Sequence, residues 1–256
     1  MIGFREFSAS WRVTLTALDG IFKMNLLLLI LWIIGITSFT LLGSWYARKY
    51  NRSDLLIGLY VTFILVAQIL AAKVATFDLG FKTFTGPAGM IVFSVTFLLT
   101  DIINEKFGRK ETHKMIFIAF ISQVAMVFFF WLGTKLPAAS FWTIQGAWQQ
   151  IFGLVPRITL ASWIAFLISE NTDAYMFAWF KKITKGKHLW MRNAFSTIPA
   201  LLLDTLIFIP IAFLGIMPIL PLIIGQTAVK WLIGIINIPF MYLNRMVLGK
   251  DTQNIL

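Results

Sequence analysis

The sequence predicts an all-α integral membrane protein: a helical bundle of about seven transmembrane helices, a six-helix core plus an N-terminal helix. Three observations carry that expectation. Of 256 residues, 59% are hydrophobic and only 13% charged, where soluble domains average about 25% charged; mean hydropathy is +0.82. That leaves too little polar surface to cover a soluble core of this size. Apolar stretches recur at bilayer length, and the basic residues fall in short clusters between them.

A spanning helix needs about 20 mostly apolar residues, and seven stretches qualify. The first, about 25–47, carries no charge. The second, about 55–77, is interrupted late by Lys73. The third, about 88–105, opens after the turn-forming Thr85-Gly86-Pro87-Ala88-Gly89 and ends in Asp101, Asn104 and Glu105. The fourth covers about 115–135. The fifth, about 156–180, holds Arg157, Glu170 and Asp173; the sixth, about 195–215, holds Asp204; the seventh, about 219–244, holds Lys230. Residues 136–155 are uncharged but polar in places, with Trp142 and Trp148 spaced for an interface. They read as an amphipathic lid or re-entrant segment at headgroup level.

Orientation follows from the loops. Basic clusters at 48–52, 106–114 and 181–192, with Arg245 and Lys250, fall on one side; the loops at 78–87, 136–155 and near Gly215 hold few Lys or Arg. The C-terminus is therefore expected in the cytoplasm of an inner-membrane protein. An odd span count puts the N-terminus outside, against the weak vote of Arg5, Arg12 and Lys23. The expected organisation is an N-terminal segment 1–50 with an accessory helix, a core at 51–248 and a short cytoplasmic tail at 249–256.

Net charge is +11, but clusters spaced as loops do not form a phosphate-binding face, so no nucleic-acid partner is expected. There are no cysteines, which removes disulfides and thiolate chemistry. The two histidines, His113 and His188, both sit in basic loops and make no metal set. Without a phosphate loop, a Gly-x-Ser-x-Gly elbow or an HExxH motif, neither a cofactor nor catalysis is expected.

Charge at lipid depth costs roughly 2.5–3.5 kcal/mol on insertion scales, so each such residue demands a reason. Asp101 and Glu105 lie one turn apart beside the basic loop, and either end a helix at the interface or line a pathway. Arg157 either snorkels or serves the interior. Glu170 and Asp173 share a helix face and could pair with Lys181 or Lys182. Asp204 and Lys230 lie on consecutive helices at similar depth, as a structural ion pair or as the wall of a polar cavity. Ser162, Ser196 and Thr197 fit helix packing as well as a lining. On these residues alone the chain reads as a small transporter or a ligand-binding membrane protein.

Three stretches carry a resemblance. One runs from Ala72-Lys73 through Pro87-Ala88-Gly89 to Phe93–Gly108, with Asp101, Asn104 and Glu105. Another is Arg157 to Phe166, then Ser169-Glu170-Asn171-Thr172-Asp173 and Phe177. The last is Leu189-Trp190-Met191-Arg192-Asn193, Ser196-Thr197, Asp204-Thr205, Phe208, Ala212-Phe213, Lys230, Pro239 and Tyr242. Over about residues 55–245 the chain resembles the queuosine precursor transporter family, also described as a vitamin uptake transporter family. The resemblance implies uptake of a purine-like base, a 7-deazaguanine such as preQ0, preQ1 or queuine, across the cytoplasmic membrane. The chemistry is compatible: a carboxylate accepts the paired N–H donors of a guanine edge, and aromatic rings stack on its plane.

Asp101, Asp173 and Asp204 match acidic positions of the family, and Asn104, Arg157, Ser196 and Lys230 match polar ones. With Glu105, Ser162, Glu170 and Asn237 they complete the candidate binding or pathway residues. The chain departs from the family pattern at Ser94, Glu170, Leu201 and Asn237, which leaves a sibling specificity open. A membrane-embedded binding subunit that needs separate energising proteins stays the alternative, and association into a homo-oligomer is open.

Overall fold

The structure, a computed structural model, describes residues 27–28, 30–78, 82–183 and 189–249. Helix α1 covers Ile30–Tyr50. It is followed by α2 (Asp54–Leu70), β1 (Val74–Asp78), β2 (Thr83–Pro87), α3 (Gly89–Phe107), α4 (Arg109–Lys135), α5 (Gln145–Phe152), α6 (Val155–Ile183), α7 (Leu189–Phe213) and α8 (Ile219–Leu248).

Five helical stretches have the length and hydropathy of a membrane span: α1, α4, the α5–α6 run up to Asp173, Phe195–Phe213 of α7, and α8. Apolar α2 has 17 residues, and 19-residue α3 gathers Asp101, Glu105 and Lys106 in its last two turns. The chain is thus a multi-pass helical membrane protein. The exposed rings and aliphatic chains of α4, among them Phe117, Phe128, Phe129 and Trp131, are surface that lipid accepts and water would not.

The expected second span does not run to residue 77. Helix α2 stops at Leu70, and Lys73 donates its N–H to Leu70 O at 3.0 Å as the chain turns out of the helix. Val74–Asp78 then pairs antiparallel with Thr83–Pro87, from Val74 opposite Pro87 to Asp78 opposite Thr83. Ala88 N–H closes the base of the hairpin on Lys73 O at 2.8 Å. This strand pair is an addition to the all-α architecture the sequence predicts. Its cause is local: alternating Val74, Thr76 and Thr83, Thr85 favour extended backbone, and Pro87 suits a strand end.

Short connections make successive helices antiparallel. Gly108, at φ 80°, is the lone residue between α3 and α4, a turn open to glycine at little steric cost. The basic loops therefore collect at one end of the bundle, where Ala47, Leu56, Ile103, Met115, Met241 and Leu248 share a buried cluster. The hairpin, α5 and the turn after Phe213 collect at the other, over a cluster of Ala71, Ile158, Phe208, Ile209, Phe213 and Leu222. We call these the basic end and the hairpin end.

Helix α1 is docked on the others. Thr40, Ser44 and Ala47 are fully buried, and Ser44 Oγ donates to Asn244 Oδ1 of α8 at 2.7 Å. Segment 136–155 forms a bend and the short α5, none of whose residues is buried. Trp142, Trp148 and Phe152 pack ring to ring there at 6.0 and 4.2 Å between centroids.

Candidate functional site

Two cavities, each with polar side chains set in a largely apolar wall, lie one above the other between α3, α7 and α8. The cavity nearer the hairpin end is walled by Ala67, Gln68 and Ala71 of α2, Pro87 of the hairpin, Met90 and Phe93 of α3, Ser162 of α6, Asp204 and Phe208 of α7, and Gln226 and Lys230 of α8. The other, nearer the basic end, is walled by Phe97, Leu98, Asp101, Thr197, Gly234, Asn237 and Met241. Seven residues separate Lys230 from Asn237, and Asp204 from Thr197, so the cavities stand roughly 10 Å apart along the helices at 1.5 Å per residue.

Asp204 and Lys230 are each 2% exposed and joined by a direct ion pair between Lys230 Nζ and Asp204 Oδ2. The pair ties α7 to α8, and both residues line the cavity. Lys230 Nζ also stands 4.9 Å from the centroid of the Phe93 ring, close enough for a cation–π contact. The cavity leaves about 30 Å³ for water-sized molecules, room for one or two waters and less than a bicyclic base requires.

Amide side chains surround the pair. Gln226, 1% exposed, donates from Nε2 to Thr205 Oγ1 at 3.2 Å, while its Oε1 is buried with no donor among the described residues. Gln68 donates to Gln123 Oε1 at 3.0 Å, which also accepts from Trp163 Nε1 at 3.2 Å. These amides, with Phe93, were missed by reasoning that looked for formal charge. The signal was available: an uncharged amide inside an apolar span also needs a partner.

The remaining sequence candidates separate into groups. Ser162 joins the first cavity, and Asp101 and Asn237 join the second, where Asn237 Nδ2 donates to Ser94 O at 3.2 Å. Asp173 of α6 accepts hydrogen bonds from Ser196 and Thr197 of α7, so it adjoins the second cavity through Thr197; the side chains of Lys181 and Lys182, its expected partners, lie outside the described residues. Its Oδ1 is buried without a partner among the described residues. Glu105 pairs with Arg245 at 3.6 Å across the basic end, and Asn104 is exposed there. Arg157 borders neither cavity: Nε and Nη2 each donate at 2.8 Å, to Ile211 O and Leu214 O at the end of α7. A guanidinium there also complements the helix dipole. The side chain of Glu170 lies outside the described residues, as do residues 184–188 of the third basic cluster.

The sequence pattern of the family described as "Putative vitamin uptake transporter" matches residues 87–244, which hold most of the lining of both cavities. A protein of Bacillus subtilis (strain 168) described as "Probable queuosine precursor transporter" is 31% identical over 174 residues, covering 66% of this chain and 76% of the relative. No solved structure matches the chain. A match over more than half of the chain, on the segment that builds the polar interior, places it: the protein belongs to this family of membrane transporters and is not an enzyme.

Proposed function

We propose that the chain takes up queuosine precursors, 7-deazaguanine bases such as preQ0, preQ1 or queuine, across the cytoplasmic membrane. The observation that carries this reading is the Asp204–Lys230 pair on the wall of a cavity built from α2, α3, α6, α7, α8 and the hairpin. An intramembrane ion pair used only for bracing would do so at a desolvation cost that apolar packing avoids. At the edge of a cavity its members can exchange partners. The Asp204 carboxylate is the acceptor for the N1–H and 2-amino donors of the base, and Lys230 holds that acceptor in the empty state. The base enters as the cavity walls separate, and Lys230 turns to the carbonyl oxygen of the base while Phe93 offers a ring face.

In this reading the seven long helices are the spans, the basic end faces the cytoplasm with the C-terminus, and 51–248 is the transporting core. Helix α1 adds no residue to either cavity. Movement from hairpin end to basic end passes from the first cavity to the second, toward Asp101, Thr197 and Asn237.

Uptake complementation tests this in a strain that makes queuosine only from supplied precursor. The wild-type chain restores queuosine in tRNA, and Asp204→Ala, present in the membrane in equal amount, does not. Failure of the wild type with preQ0, preQ1 and queuine rejects the substrate. Binding by the purified chain without transport into liposomes points instead to a binding subunit that needs energising partners.

A further inference from the structure

We infer that Gln226 determines specificity at this site: its Oε1 accepts the second hydrogen of a 2-amino group whose first hydrogen goes to Asp204. The inference rests on the transport reading above and adds a residue that reading does not use.

An amide's oxygen and nitrogen are told apart by their partners. Thr205 Oγ1 donates its single proton to Leu201 O at 2.9 Å. Having spent that proton, the hydroxyl can only accept, so the Gln226 atom 3.2 Å from it must be the donating Nε2. Oε1 is thereby turned away from Thr205 and is buried without a donor among the described residues, on a residue that lines the cavity with Asp204 and Lys230. A buried acceptor without a donor is costly, and a ligand donor removes that cost.

Position supplies the rest. The amide is anchored to Thr205, the residue after Asp204, and it stands one helical turn before Lys230 on α8. The cavity wall so holds a carboxylate and an amide carbonyl as acceptors and an ammonium as donor, beside the polar side chains of Ser162 and Gln68. A 2-amino-4-oxo pyrimidine ring is the complement: the ring N–H between its amino carbon and its carbonyl (N1–H in purine numbering) and one amino hydrogen to Asp204, the other amino hydrogen to Gln226, the carbonyl oxygen to Lys230. A 4-oxo ring without the amino group leaves Gln226 Oε1 unfilled. A site built to bind a donor rejects the analogue lacking it for that reason.

The experiment measures binding of 7-deazaguanine and 7-deazahypoxanthine to the purified full-length chain in detergent. The variants are Gln226→Met, which keeps shape and removes the acceptor, and Thr205→Val, which frees the amide to turn. The wild type binds 7-deazaguanine more tightly. Gln226→Met weakens 7-deazaguanine about tenfold and leaves 7-deazahypoxanthine unchanged, and Thr205→Val narrows the same ratio with Gln226 in place. Equal weakening of both ligands by Gln226→Met, or no weakening of either, overturns the assignment and leaves the transport reading standing. A wild type that binds neither base overturns both. Elution of each variant as a single species by size exclusion separates loss of binding from loss of fold.

Discussion

Asp204 and Lys230 are held by each other. Removing one partner strands a buried charge, and losses of about 3–5 kcal/mol follow when a buried pair is broken from one side. Removing both leaves polar and apolar groups of similar shape and no orphaned charge. Lys230→Met alone therefore lowers the denaturation midpoint in detergent strongly, whereas Asp204→Asn with Lys230→Met falls well short of the summed single effects. Additive losses would show that the two side chains do not depend on each other. Ligand binding stays absent in the double variant, since the carboxylate that takes two donors of the base is gone.

The hairpin and α8 touch backbone to backbone. A Cβ on Gly225 would collide with the carbonyl, carbon and nitrogen of Thr85, and the Gln226 backbone N lies 3.5 Å from where Gly86 would place one. Backbone atoms cannot swing aside as a side-chain end does, so even Gly225→Ala pushes the hairpin off α8. Pro87 and Gly89 move with it, and the hairpin side of the first cavity opens. Gly58 is the control: a Cβ there meets nothing within 4 Å, and alanine in mid-helix is favoured over glycine by about 1 kcal/mol. Gly225→Ala loses uptake and thermal stability, and Gly58→Ala keeps the first and holds or gains the second. Equal behaviour of the two would mean that the hairpin does not need its contact with α8.

That contact was not legible in the sequence, and the reason is physical. Val74–Pro87 has a strand's composition, but in an apolar chain the stretch before it reads as a continuing helix until Lys73 is seen to end it. The long apolar helices at 115–135, 156–180, 195–215 and 219–244 were legible because lipid imposes a length and an apolarity that local sequence must satisfy. Asp204 and Lys230 stood out for the same reason. Gln68, Gln123 and Gln226 did not, since an uncharged amide is penalised less and its partner lies on another helix. Arg157 stood out by charge, but its partners are backbone carbonyls, which carry no sequence signature.

Across the whole molecule, an apolar layer divides the interior. Ala67, Phe93, Phe97 and Leu201 form one buried cluster, with Phe166 packed against it. Phe93 lines the first cavity and Phe97 the second. Leu201, 1% exposed, stands between Thr197 and Asp204 on α7 and faces Gly234 of α8, where a Cβ would come within 3.4 Å of its Cδ1. On the proposed path from Asp204 toward Asp101, a base displaces this leucine. Pro199, two residues before it in α7, and Pro239 in α8 each remove a helix hydrogen bond beside the second cavity, so both helices can bend close to the layer. Leu201→Phe thickens the layer without adding a polar group or touching Asp204. Uptake into cells or liposomes then falls sharply, while binding of preQ0 by the detergent-solubilised chain stays near the wild-type level. Loss of both together would mean only that the larger ring disturbs the first cavity. Retention of both would show that solute passes by a route that avoids Leu201, and the two cavities would then not be successive stations of one path.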